Sequence, residues 1–310
     1  MGSRVSVALG AAALVVGLAT TPAHAVQTET GSTASTTAPC ALSLGSVNAG
    51  GDHLSQRITA TAPITAGNTG VVAPNRFADG LARLSGSWTH EPEVPGTTSY
   101  VGQVVLGSSM YTAGYRLNSG DEKVDLARIG GGWDQFSFFE ESRYDEGASS
   151  TSVYRTHEYG LRKDGTLVRW RLAKGVWQSA GSYPGFSAVR TMTLISQTRT
   201  YDTFLANTRS GALYTIRIPV AVPMKPVVKV VRSSTWQAFD HLIAEKCGQY
   251  GTLLLGIDKE TQAGYLYAVG RASGTSTVIK GLGKVPTTFN APVYFRWAGV
   301  AWANPPLSGE

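Results

Sequence analysis

Charge is scarce in this chain of 310 residues: Asp, Glu, Lys and Arg make up 15% of it, against about 25% in an ordinary soluble domain. Its 27 basic residues outnumber 21 acidic ones but are scattered. Without the clustered Lys/Arg stripe that nucleic-acid binding uses, no nucleic-acid partner is expected. Beyond residue 25 no run approaches the roughly 20 apolar residues of a membrane helix, so no membrane span is expected. Cysteine is limited to Cys40 and Cys247, and His53, His90, His157 and His241 have no ligand spacing around them. Neither a metal nor another cofactor is therefore expected. A G-x-S-x-G elbow, a zinc-binding helix and a serine-protease nucleophile motif are all missing. What the chain has in quantity is glycine (36) and proline (14), with 42% hydrophobic residues. That is ample core material cut by frequent turn formers, which excludes disorder, a coiled coil and a long helical bundle.

Residues 1–25 read as a Sec-type signal peptide. Arg4 supplies the positive start, Val5–Leu18 the apolar run, and Ala23-His24-Ala25 the small-x-small cleavage pattern. No second Arg adjoins Arg4 and no Cys follows the run, so neither twin-arginine export nor a lipid anchor is expected. Residues 26–39 are polar and Ser/Thr-rich, the composition of a flexible leader. The folded domain is expected over 40–304, with a tail over 305–310, and the protein is expected to be secreted. Two cysteines in an exported chain favour one disulfide.

A unit recurs along the domain, marked by Phe77, Phe136, Phe186, Phe239 and Phe289 at spacings of 59, 50, 53 and 50 residues. Each marker is followed by an apolar strand, two alternating strands around a glycine turn, and a fourth strand. Such a repeat fits the blades of a β-propeller. Asp164-Gly165 and Ser210-Gly211 supply hairpin turns, and Ala263-Gly264 is placed just before the strand Tyr265–Val269. Trp236–Lys246 reads as loop plus strand. First strands are expected at Gly80–Trp88, Ser137–Ser142, Thr191–Gln197, Asp240–Lys246 and Pro292–Ala303. The last has no successors, while the domain opens with three strands (41–48, 53–61 and 70–77) that lack a first. The fold class is therefore all-β: a five-bladed propeller of four-stranded antiparallel blades, the last completed by both termini.

This assignment places Cys40 and Cys247 in equivalent loops of neighbouring blades. A bond between them would close a loop of about 200 residues, for which the chain-entropy model gives about 4 to 5 kcal/mol.

The segment Leu126-Ala-Arg-Ile-Gly-Gly-Gly-Trp-Asp-Gln-Phe-Ser-Phe-Phe139 resembles the repeat of the tachylectin-2 type lectins, five-bladed propellers whose blades carry L-A-R-x-x-x-I-G-x-G-G-W-x-x-F-x-F-L-F-F. The strands Tyr159–Arg171 and Tyr265–Val269 are similar to that family's middle strands. The resemblance implies binding of N-acetylated hexosamines, one site per blade, without catalysis. Trp236 is the counterpart of Trp133, whereas Tyr183–Phe186, Pro286–Phe289 and Pro74–Phe77 lack the Trp and most of the glycines. One or two working sites are expected in place of five.

Candidate glycan-binding residues are Gly131, Gly132, Trp133, Asp134, Tyr144, Trp177 and Trp236, with Arg143 as a further candidate. The tryptophans offer flat faces to a sugar ring, Asp134 an acceptor for hydroxyls, and the glycines a close backbone approach. Trp133 and Trp236 equally suit the wedge between blades. Tyr144 is expected in the loop after the Phe139 strand. An adaptor that binds another protein stays open, with 87–98 and 144–151 as contact loops. So does glycoside hydrolysis at the channel mouth, which uses two carboxylates about 5 to 10 Å apart. Glu140, Glu141, Asp240 and Glu245 lie on first strands, but Glu140 and Glu141, as strand neighbours, point to opposite faces. The expectation is a monomeric, non-catalytic binder of cell-wall or surface polysaccharide. Removal of Arg4 with the signal leaves 26 basic and 21 acidic residues, a charge of about +5 that favours approach to anionic polymers.

Overall fold

The computed structural model describes residues 38–94, 97–117, 124–146, 153–299 and 306–310. The expected signal peptide and most of the leader lie outside the described residues. Pro39–Glu310 form one compact unit.

That unit opens with β1 (Ala41–Val47), β2 (His53–Thr59), β3 (Thr65–Ala66) and β4 (Gly70–Ala73). Sheet A contains β5 (Ala82–Ser85), β6 (Trp88–Val94), β7 (Thr97–Leu106), β8 (Ser109–Leu117) and β9 (Asp125–Gly130). Sheet B is β10 (Phe136–Asp145), β11 (Tyr154–Arg162), β12 (Leu167–Ala173) and β13 (Val176–Tyr183). Sheet C is β14 (Val189–Gln197), β15 (Tyr201–Thr208), β16 (Leu213–Pro219) and β17 (Val227–Arg232). Sheet D is β18 (His241–Cys247), β19 (Gly251–Asp258), β20 (Ala263–Val269) and β21 (Ile279–Lys284), after which comes β22 (Val293–Ala298). Consecutive strands pair antiparallel within sheets B, C and D. Among the described residues the single helical element is a 3-10 turn, Trp133–Gln135.

The glycine turns work as their chemistry requires. Gly165 has φ +87°, a conformation only glycine adopts freely, and the Asp164 carboxylate accepts the Thr166 N–H across the same turn (2.8 Å). Trp236–Asp240 is loop and β18 comes next, as expected.

β22 adds itself to the opening strands. It pairs antiparallel with β1, Val293 opposite Val47 and Arg296 opposite Leu44, which makes a seam sheet ordered β22-β1-β2 with β3 and β4 both on β2. Gly45 faces Phe295 in this ladder, and a Cβ there would lie 2.0 Å from the Phe295 ring, so only glycine lets the seam close. A parallel bridge from Trp297 to Trp88 and Ala298 to Thr89 ties the seam sheet to sheet A. The first strands β5, β10, β14, β18 and β22 contact one another in that cyclic order, and β22 returns to β5. The sheets are thus the blades of an all-β propeller, five by this pairing, with one built from both ends of the domain. Cys40, just before β1, is bonded to Cys247 at the end of β18, 207 residues away, as the blade assignment anticipates.

Apolar faces of adjacent sheets supply the core, and all five Phe markers are buried in it. Some contacts between sheets are polar. Buried Asp202 of sheet C accepts hydrogen bonds from Arg155 (2.6 and 2.7 Å), Tyr159 (2.7 Å) and Ser142 (2.8 Å) of sheet B. Burial by itself would raise its carboxyl pKa; His157, Arg155 and Tyr159 outweigh that and hold it below the usual carboxylate range.

Four expectations about elements need correction. The strand expected over Gly80–Trp88 breaks at Gly86-Ser87, because the Ser87 N–H and hydroxyl turn aside to Glu140 of sheet B (3.0 Å each). Of residues 87–98, expected as a long connection, Trp88–Val94 instead form β6, which pairs with β7 as far as Val94. Tyr144 belongs to β10 rather than to a loop, since β10 stays paired with β11 as far as Asp145. Gly264 lies inside β20 under the Phe289 ring, where a Cβ would come within 2.3 Å, and not in the turn before that strand.

Candidate functional site

The five first strands surround a central channel. Where they begin, a concavity of about 860 Å³ is lined by Arg83, Ser137, Arg190, Asp240 and Val293. Where they end, another of about 600 Å³ meets Ser87, Gln197, Arg296 and Pro306. A third, of about 1050 Å³, runs outward between sheets A and B and shares Glu141, Arg143 and Tyr154 with the second. A ligand can therefore lie from the channel mouth into the A–B groove along one continuous wall.

Strand periodicity builds that wall. Glu141 and Arg143 are alternate residues of β10 and so share a face; opposite them on β11 stand Glu158 and Thr156. Trp170 of β12 is opposite Glu158, and Leu172 of β12 is opposite Trp177 of β13. Sheet A supplies Gln103 of β7, facing Thr112 of β8, with Ala127–Ile129 of β9 beyond. The groove thus has a charged inner end, beside which Tyr154 is 60% exposed, and a more apolar outer end, where Trp177 is half-buried.

Electrostatics sharpen the inner end. The Arg143 guanidinium pairs with the Glu141 carboxylate. Glu158 is buried, and burial, reinforced by the Glu141 charge, pushes its carboxyl up to about 9. At neutral pH it is a neutral acid with an O–H to donate. Its neighbour Gln103 is also buried, and one oxygen of each lacks a hydrogen-bond partner. Buried polar atoms of this kind ordinarily find partners.

The seven candidate glycan residues do not come together. Trp133 is buried against Phe136, Phe139 and Trp170, with ring centroids 4.4, 5.5 and 5.5 Å away. Trp236 is buried against Phe239 and Tyr267. Gly131, Gly132 and Asp134 are exposed at the turn before β10, where Asp134 accepts a hydrogen bond from Gln135 (2.6 Å). Tyr144 sits at the other end of that ten-residue strand, about 30 Å away at 3.3 Å per residue. There its hydroxyl donates to Glu146 and Arg155 lies over its ring. Of the seven, Trp177 lines the groove. Gln103, Tyr154, Thr156 and Glu158 were not singled out from sequence. The available signal was the alternation of polar residues on β10 and β11, on a face that neighbouring blades usually bury.

Glu140 and Glu141 do point apart, as strand geometry requires. Glu140 lines the channel, accepting hydrogen bonds from Ser87 and from the Glu141 N–H, and burial raises its carboxyl pKa. Glu245 is paired with Arg296, and Asp240 with Arg190. Among the described residues no three His, Cys, Asp or Glu side chains gather as a metal-binding group.

No protein-family profile and no curated protein matches the chain. Among solved structures it is similar to an α-L-arabinanase of Penicillium chrysogenum solved with arabinobiose, at 10% identity and a TM-score of 0.43, over 78% of this chain and 72% of that one. It is similar also to AofleA from Arthrobotrys oligospora, at 9% identity and a TM-score of 0.44, over 84% and 91%. At this level neither likeness bears on function, and the functional reading rests on the groove.

Proposed function

We propose that the chain is a secreted, monomeric, non-catalytic carbohydrate-binding protein that holds an N-acetylated amino-sugar glycan in the A–B groove. One observation carries this reading: Trp177 and Tyr154 flank the Glu141–Arg143 pair in an open groove of about 1050 Å³. A sugar ring offers C–H groups on its faces and hydroxyls at its edge. Aromatic side chains suit the faces, and a charged donor–acceptor pair suits the hydroxyls. The resemblance of residues 126–139 to the tachylectin-2 repeat supports the same sugar class. Within that segment Ala127–Ile129 line the groove, whereas Trp133 is buried. A single groove binds weakly, and strong attachment to a polymer would require several protein molecules on one surface.

The test is a glycan array combined with retention on chitin and peptidoglycan. Retention with elution by N-acetylglucosamine is the expected result. Empty arrays together with a specific protein partner would replace this reading with the adaptor. Turnover of chromogenic glycosides that is lost in Glu140→Gln would replace it with hydrolysis.

A further inference from the structure

The groove between sheets C and D matches the A–B groove at two positions of its wall. Lys246 lies seven residues beyond Phe239, as Arg143 lies seven beyond Phe136. Each faces a threonine on the next strand, Thr252 and Thr156. The C–D groove is already filled, by residues 306–310. This segment bridges antiparallel to β14, Ser308 opposite Ser196. Backbone N–H groups of Gln197 and Ala272 donate to the carbonyls of Leu307 and Gly309, and the Gly309 N–H donates to the Ile195 carbonyl (2.7–2.8 Å). Gln197 Oε1 accepts the Leu307 N–H (3.1 Å) and Lys246 Nζ donates to the Pro306 carbonyl (3.3 Å). Leu307 is 3% exposed within the core cluster of sheets B and C. The Glu310 side chain is held in a fork by Arg217 Nε and Nη2 (3.1 and 2.7 Å) and by the Thr203 hydroxyl.

These are the parts of a peptide-recognition site: strand addition for affinity, a closed pocket for one apolar side chain, and a bidentate arginine for a carboxylate at fixed spacing. We infer that the C–D groove recognises extended Leu-Ser-Gly-Glu segments, that residues 306–310 are its resident occupant, and that the same segment of a second copy of this chain can replace them. The site borders the channel mouth through Gln197 and Pro306, but the inference does not rest on the glycan reading. Exchange is suppressed in the intact chain because a tethered occupant acts at an effective concentration of roughly millimolar.

The experiment uses a labelled, C-terminally amidated peptide covering residues 303–310 and a chain lacking 306–310, with fluorescence anisotropy as readout. Saturable 1:1 binding is expected, with the peptide versions of Glu310→Gln and Leu307→Ser each weaker by about tenfold or more. Binding should also fail in the truncated chain carrying Arg217→Ala. A folded truncated chain that does not bind overturns the inference, as does a wild-type chain that binds as tightly as the truncated one. Where the truncated chain does not fold, full-length L307S/E310Q takes its place: it should capture the wild-type peptide, and failure to do so overturns the inference equally.

Discussion

In the A–B groove Arg143 and Thr156 stand next to Glu141 and Glu158; at the matching positions of the C–D groove Lys246 and Thr252 stand next to Ala244 and Leu254. The blade repeat dictates where a groove runs, and two side chains per groove decide what fills it. An apolar floor gains from being covered, so the backbone of residues 306–310, with Gly309 against Thr252 and Ile195, closes the C–D groove. A floor of two carboxyls can be covered only by a partner that satisfies them, since an unmatched buried polar group costs about 1–3 kcal/mol. The A–B groove therefore stays open for a polar ligand.

The largest test concerns the corner where the filled groove meets the seam, because Cys247 follows Lys246 directly. Replacing both Cys40 and Cys247 by Ser should remove about 4 to 5 kcal/mol, read as a lower midpoint in urea unfolding. An unchanged midpoint would mean that β22 and the C–D occupant hold the ring without the clasp. Next, Leu254→Glu gives the C–D groove one of the two carboxyls of the A–B floor. A lone carboxyl at this fully buried position should cost about 3 kcal/mol or more. Equal stability of variant and wild type would show that floor chemistry does not separate the grooves.

Glu158 gives a pH signature, read as a slope. Its folded pKa of about 9 lies above the ordinary 4.5, so between those values the folded state holds a proton that the unfolded state has lost. Stability from this group is complete below about pH 4.5 and falls as pH rises towards 9, by at most about 1.4 kcal/mol per pH unit. In Glu158→Gln that slope should disappear from pH-dependent unfolding curves. Smallest of all, Asp134→Ala should leave both glycan retention and melting temperature unchanged, because Asp134 is exposed at its turn and is not among the residues that line the groove.

Architecture was legible in the sequence because propeller blades repeat their turns and markers. The five Phe positions, Asp164-Gly165 and the unpaired strands at the two ends of the domain led to the seam, and the seam led to Cys40–Cys247. The site was less legible, since it is assembled from two sheets with no fixed sequence spacing between them. Gln103 and Glu141 meet only because sheet A packs on sheet B. Trp133 and Trp236 looked like sugar platforms for the same reason that they make good wedges: a large flat ring beside glycines fits either role. Trp177 differs in standing opposite Leu172 at the outer edge of a blade, a place where packing leaves a face uncovered.

Calorimetric titration of a soluble N-acetylglucosamine oligomer into wild type and Trp177→Ala asks whether the A–B groove holds the glycan. The account predicts binding to the wild type that weakens by about tenfold or more in the variant, equal to a loss of about 1.4 kcal/mol, while the melting temperature barely moves because Trp177 is only half-buried. Equal affinity in the two proteins would place the ligand elsewhere and contradict the account.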